Sequence, residues 1–244
     1  MKLGQIKTEG NFKLLLMGDA GVGKTVFGTS FPGRTRVLDF DGKVDSAALF
    51  WKKHNVEKLE SIEVTQFSAG LEMSPIQQLD KIVREEFIPQ QRANKMEFET
   101  LLIDSMTTFS AATLAHIVKS NPGIKRNASA QGMQPGLQDY GILKREFQRL
   151  IPGLLALPCN VIMLAHIATE KDEVTGQVLR HTMMDGSFAK ELPIYFKEVW
   201  RAFVKDGKRF AQTQSDGQYN CRSQITGLPA TIPLEYAEIA KFLT

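Results

Sequence analysis

Residues 12–25 read FKLLLMGDAGVGKT, and the reading of this stretch decides the fold. Its second half, Gly18-Asp19-Ala20-Gly21-Val22-Gly23-Lys24-Thr25, fits the phosphate-loop pattern of glycine, four residues, Gly-Lys and Ser/Thr. Phe12–Met17 before it is an apolar run of buried-strand length, and Thr25–Ser30 continues as the first turn and a half of a helix. A loop between strand end and helix start points successive backbone N–H groups at an anion, with the positive end of the helix dipole behind them. Glycine lets the main chain approach phosphates with no Cβ in the way. Lys24 then reaches the β- and γ-phosphates, and the Thr25 hydroxyl holds Mg2+. Gly18 to Val26 is the expected cradle of a nucleoside triphosphate. An ordinary glycine-rich turn would not need strand, Lys-Thr and helix in the same register.

The bulk properties set the frame. At 244 residues the chain is long enough to bury a proper core, and 43% hydrophobic with 23% charged residues is ordinary globular composition. No apolar run approaches the roughly 20 residues of a membrane span. MKLGQIKTEGNFK has no apolar signal core, so export is not expected and a cytoplasmic location is. Two cysteines, Cys159 and Cys221, suit a reducing compartment better than a disulfide framework, and no cysteine–histidine spacing resembles a zinc site. A net charge of +3 permits an anionic partner without demanding one, so any nucleic-acid contact must be local.

Outward from the loop, Phe31-Pro32-Gly33 stops the first helix, and Thr35–Asp41 (TRVLDFD) is a second strand ending in Asp39 and Asp41. Lys43–Asn55 reads as a helix and Ser61–Phe67 as a strand. Ser74-Pro75 looks like an N-cap with proline at the first position of a helix running to about Gln91. Glu99–Ser105 (ETLLIDS) is a buried strand, and Thr107–Ser120 is helical. The polar stretch 121–139 is a long loop, which in a compact domain is functional or mobile. Tyr140–Leu157 has one apolar helical face, with Pro152-Gly153 expected to kink or end it. Asn160–His166 (NVIMLAH) is another buried strand, followed by a loop or short hairpin over 167–186. From Glu198 the pattern becomes hairpins: EVWRAFV, RFAQTQ and QYNCRSQI, with turns at Lys205–Lys208 and Ser215–Gly217. Leu234–Leu243 closes as a helix. Residues 1–11 read as an arm and 12–244 as one α/β domain: a parallel sheet with helices on both faces, extended by antiparallel hairpins at one edge.

In such sheets ligands sit outside the carboxyl ends of the strands. The phosphate loop, Asp39/Asp41, Asp104-Ser105 and His166 all fall there. Asp104 ends an apolar strand and is expected to order Mg2+ together with Thr25. Asp41 is expected to align the attacking water, with Asp39 pointing to the same face; the alternative is that either acid caps the following helix. His166 is placed to sense the γ-phosphate and report it to the loop that follows; the alternative is a structural histidine. His54, His116 and His181 read as surface or packing residues. Lys125 and Arg126 in the first long loop, and Lys171 and Arg180 in the second, are placed to track a nucleic-acid backbone; the alternative is solvated surface charge.

This order of elements resembles the RecA-type ATPase core from about Phe12 to Pro233, above all the short phage-encoded, core-only RecA-like proteins of single-strand annealing and recombination. The resemblance implies ATP as the nucleotide and roles for Lys24, Thr25 and Asp104 as above. It places Asp41 where such proteins carry a catalytic glutamate, and His166 where a glutamine couples nucleotide to DNA. The loops 121–139 and 167–186 would be the two DNA-binding loops. Arg222 would reach the nucleotide of a neighbouring subunit, while Gln224 stands where a second basic residue is usual. The implied function is a DNA-stimulated, single-stranded-DNA-binding recombination ATPase acting as a homo-oligomer or filament in the host-cell cytoplasm, alongside a single-strand-binding protein. A small-molecule or nucleotide kinase with an arginine-bearing lid, and a nucleotide-gated adaptor for replication or recombination partners, are the competing readings.

Overall fold

In the computed structural model, residues 11–67, 73–126, 128–129, 132–171, 176 and 178–243 are described. The expected N-terminal arm, apart from Asn11, lies outside them. In chain order, β1 (Lys13–Gly18) leads through the phosphate loop into α1 (Lys24–Thr29), followed by β2 (Thr35–Asp39), α2 (Asp45–His54), α3 (Val56–Glu60) and β3 (Ile62–Gln66). Next come α4 (Pro75–Ile82), a π-helical turn (Val83–Phe87) and α5 (Ile88–Arg92). The middle of the chain holds β4 (Thr100–Asp104), α6 (Met106–Ser120), the short strands β5 (Ala128–Ser129) and β6 (Gly132–Met133), α7 (Leu137–Leu155) and β7 (Asn160–Ala165). The last third holds β8 (Ile167–Lys171), β9 (Val178–Thr182), α8 (Phe188–Glu191) and a 3₁₀ turn (Leu192–Tyr195). It ends with β10 (Glu198–Lys205), β11 (Lys208–Gln212), β12 (Thr231–Pro233) and α9 (Tyr236–Ala240).

One eight-stranded sheet, in the order β12-β11-β10-β1-β7-β4-β2-β3, carries the chain. Its strands from β10 to β3 are parallel, and β11 and β12 extend it antiparallel, which is the architecture the sequence predicts. Parallel strands covered by helices on both faces must be apolar on both, and β1 is buried along nearly its whole length. Leu15 and Met17 face one core with Phe109 and Phe147. Leu14 and Leu16 face the other with Phe27, Phe31 and Trp200. Truncating Phe109, which has no exposed surface, would leave a cavity costing about 3–5 kcal/mol.

Register places the chemistry. Asp39 pairs with Asp104, Met17 with Ala165 and Gly18 with Ala202, so the C-terminal ends of neighbouring strands form one edge. Local caps fix the helices that follow. Ser74 and Gln77 bond reciprocally at the start of α4, with Pro75 at its first position, and Asp139 accepts the Gly136 N–H at the start of α7.

Two expectations about the outer elements are corrected. QYNCRSQI is not a sheet strand: Arg222 makes one antiparallel bridge to Val199, and Tyr219 one bridge to Arg180. β11 stops at Gln212 opposite Arg201, leaving only a short edge of β10 for Arg222, and β12 supplies the next strand. Of the kink or end expected at Pro152-Gly153, the end does not occur. α7 runs to Leu155 through it, because Leu150, Ile151 and Leu154 remain in the core and Ala156 N–H bonds the Pro152 carbonyl at 3.0 Å.

Candidate nucleotide and magnesium site

The phosphate loop stands between β1 and α1 as its pattern requires. Gly21 and Gly23 have φ of 77° and 94°, the left-handed region that favours glycine, and this turns the loop amides inward. Gly18 is needed for contact as well as shape, since a Cβ there would lie 2.7 Å from the Ala202 carbonyl oxygen. Lys24 is buried, and its Nζ donates to the Gly18 and Asp19 carbonyls at 2.8 Å each. Those bonds hold the ammonium inside the loop. Burial lowers the Lys24 pKa, and the nearby Asp104, Asp41 and Asp19 act against that shift.

The acids sort themselves by geometry. Thr25 Oγ1 donates to Asp104 Oδ2 at 2.6 Å, bringing the two expected magnesium ligands together. The peptide between Asp104 and Ser105 is cis. The Asp104 carbonyl accepts the N–H groups of Phe40 and Asp41, tying the end of β2 to the end of β4. Ser105 Oγ then donates to Asp41 Oδ1 at 2.8 Å. For Asp39 the capping alternative holds. Gly42, at φ 65°, curls the chain back so that its N–H reaches Asp39 Oδ1 at 2.9 Å, with Lys43 and Val44 N–H at 3.4 Å. Asp39 is fully buried and caps this turn, while Asp41 remains at the site.

His166 Nε2 lies 3.8 Å from Asp41 Oδ2. Its pKa is lowered, first by burial and then by the Lys24 charge, so the ring is neutral near pH 7 and able to donate one hydrogen bond. Its backbone is fixed too: its N–H donates to Thr107 Oγ1 at 2.9 Å, and its carbonyl accepts from Met183 N–H at 2.8 Å. β8 begins at the next residue and pairs with β9 as an antiparallel hairpin. Ile167–Lys171 and Val178–Thr182 thus pair directly after the histidine.

The basic residues divide. Lys125 and Lys171 are exposed. Arg126 is not: its guanidinium has no exposed surface and forks onto the buried Asp139 carboxylate at 2.6 and 2.8 Å. That pairing makes Arg126 a brace across its own loop, in place of the expected backbone contact. Arg180 bonds Gln218 and lies 5.0 Å from the Tyr219 ring. Arg222 is turned inward, donating to the Pro193 and Phe196 carbonyls, the latter at 2.7 Å.

One neighbourhood escapes sequence reasoning. A cavity of about 900 Å³ adjoins Gly23 and Val26, walled by Phe50, Trp51, Tyr236 and Arg209. His54, read as a surface or packing residue, also lines it, its ring tilted against Phe50 with centroids 4.4 Å apart. Trp51 is held by its Nε1, which donates to Thr29 Oγ1 at 2.8 Å. The basic turn Lys205–Lys208 and the Arg209 that follows it are visible in sequence, but their folding against the loop is tertiary.

The residues suit Mg2+. A hydroxyl and a carboxylate are hard oxygen donors, and two of them suffice for an ion that keeps waters and takes phosphate oxygens. Among the described residues no cluster of three or more His, Cys, Asp or Glu forms an all-protein metal cage. Burial, then repulsion from Asp41 and Asp39, raises the Asp104 pKa to about 6, against the Thr25 bond and Lys24. A divalent cation relieves that cost. Among the described residues no helix is long and apolar enough to cross a membrane.

Of the comparisons with known proteins, the family match agrees with the loop. No curated protein matches the chain. Among solved structures, the crystal structure of the RadB recombinase aligns with 15% identity over 82% of this chain and 79% of that one, at a TM-score of 0.44. The family described as AAA domain matches residues 10–224, most of the 244-residue chain. With the phosphate loop, Thr25 and Asp104 assembled at one sheet edge, the chain belongs to the AAA domain family of P-loop proteins.

Proposed function

We propose that this chain is an ATP-dependent, single-stranded-DNA-binding ATPase of recombination or annealing, working as an oligomer or filament, with residues 12–244 as its single catalytic domain. The observation that carries the reading is the run of contacts from Thr25 and Asp104 through Ser105 and Asp41 to His166, which roots the β8–β9 hairpin. It gives the presence of a γ-phosphate a short path to an exposed hairpin.

The steps follow from side-chain positions. Lys24 leaves the Gly18 and Asp19 carbonyls for phosphate oxygens, and Thr25 and Asp104, already bonded to each other, would hold Mg2+. The ion, when bound, neutralises charge on the β- and γ-phosphate oxygens. Asp41, held by Ser105, accepts a hydrogen bond from the attacking water and aligns it. The neutral His166 donates to the γ-phosphate, and that pull acts on the chain at Ile167 and Met183. Lys125 and Lys171 supply exposed positive charge for a phosphodiester backbone. A subunit-to-subunit role for Arg222 requires it to leave the Pro193 and Phe196 carbonyls, so it enters only with assembly.

Anisotropy of a labelled oligo-dT with no nucleotide, with ADP and with a non-hydrolysable ATP analogue tests this. The analogue should tighten binding by about tenfold or more, a usual coupling between linked sites. Lys24→Ala should remove the effect, and His166→Ala should leave ATP binding while uncoupling it from DNA. Equal DNA affinity in every nucleotide state would refute the proposal.

A further inference from the structure

The geometry points to Arg209 as a cation that grips the α-phosphate end of the nucleotide from within the same chain. This rests on the nucleotide reading of the phosphate loop and adds a ligand contact to it. Three observations carry it. First, the Arg209 side chain lies across Gly23: a Cβ built there would stand 2.6 Å from Arg209 Cδ and 2.9 Å from Nε. The missing Cβ of Gly23 leaves the arginine room against the loop backbone. Second, the backbone of Arg209 is fixed. It pairs with Val204 across the β10–β11 hairpin, whose turn uses Asp206 and Gly207 at φ 51° and 72°, and its carbonyl accepts Leu234 N–H at 3.0 Å. Third, its guanidinium has no hydrogen bond or ion pair among the described residues, unlike Arg126, Arg180 and Arg222. An exposed, unsatisfied fork held against a phosphate loop has five donors to offer an anion.

Its position selects the phosphate. Arg209 shares the cavity with Gly23, Val26 and Tyr236, and that cavity touches none of Asp41, Asp104 or His166, which mark the hydrolytic end. The guanidinium therefore meets the phosphate chain at the end away from the attacking water. A contact there serves ATP and ADP alike and holds the β10–β11 hairpin down on either.

Calorimetric titration of wild type, Lys24→Ala, Arg209→Ala and Arg209→Lys with Mg·ATP, Mg·ADP and adenosine tests this. Arg209→Ala should weaken ATP and ADP by similar factors of about 10 to 100, the range of charge-assisted bonds, and leave adenosine unchanged. Arg209→Lys should recover part of the loss, which a purely structural role would not predict. Circular dichroism melting of the ligand-free variant confirms that it is folded. If wild type binds both nucleotides and Arg209→Ala binds them equally well, or loses ATP alone, the proposal falls while the nucleotide site stands. A wild type that takes up neither nucleotide, with Lys24→Ala indistinguishable from it, overturns both.

Discussion

Replacing Asp104 with asparagine should stabilise the ligand-free protein while crippling its response to magnesium. Asp104 is 5% exposed and has Asp41 and Asp39 for neighbours, with Lys24 as partial compensation. Its pKa rises from an ordinary 3.8 to about 6. At about 1.4 kcal/mol per pH unit, that rise corresponds to about 3 kcal/mol of folding free energy lost once the carboxyl is ionised. The amide introduced by Asp104→Asn would keep an acceptor for the Thr25 hydroxyl and carry no charge, so the variant recovers about 2–3 kcal/mol. For a chain of this size that is a gain of roughly 4–10 °C in the metal-free melting temperature at pH 8. The sign follows from linkage: a raised folded pKa contributes stability that is fully present below pH 3.8 and lost as pH rises through about 6. The gap between variant and wild type should therefore be widest at pH 8, shrink below pH 6 and nearly close by pH 4. With Mg·ATP the order reverses, because wild type alone gains the full binding increment. Scanning calorimetry with EDTA, then with Mg·ATP, reads both effects. A variant that melts lower than wild type at pH 8 without metal, or a gap that does not change with pH, would refute the reasoning.

Asp39→Ala strips the acceptor from the N–H groups of Gly42, Lys43 and Val44 at a fully buried position, and should cost about 2 kcal/mol, seen as a melting temperature lower by roughly 4–8 °C. Burial raises the Cys159 thiol to about 11 and Cys221 to about 12, so neither should react with a disulfide reagent at pH 8 until denaturant is added. Arg126→Ala should lower the melting temperature and leave the salt dependence of DNA affinity unchanged, whereas Lys125→Ala should flatten that salt dependence and leave melting unchanged; titrations across a salt series separate them.

The parts legible in sequence were those set by continuous local patterns. The phosphate loop is contiguous, and a parallel sheet brings its strand ends to one edge, so Asp104, Asp41 and His166 could be placed from the apolar runs before them. What failed were positions decided by a neighbour remote in sequence. Period-two alternation left Asp39 and Asp41 each as site acid or cap, and only the turn at Gly42, which folds three N–H groups onto Asp39, decides for the cap there. Arg126 looked like a loop cation until Asp139, which caps the next helix, claimed it. QYNCRSQI alternates like a strand because Tyr219 and Cys221 are buried, yet the edge it meets admits one bridge. The cavity beside Gly23 draws on α2, the β10–β11 turn and the start of α9, and no local signal joins them.

The most direct measurement is steady-state ATP turnover with and without oligo-dT, for wild type and Asp41→Asn. The account predicts a basal rate that rises severalfold with single-stranded DNA in wild type, and no turnover in the variant with ATP binding retained. Turnover indifferent to DNA, or an undiminished rate in Asp41→Asn, would contradict it.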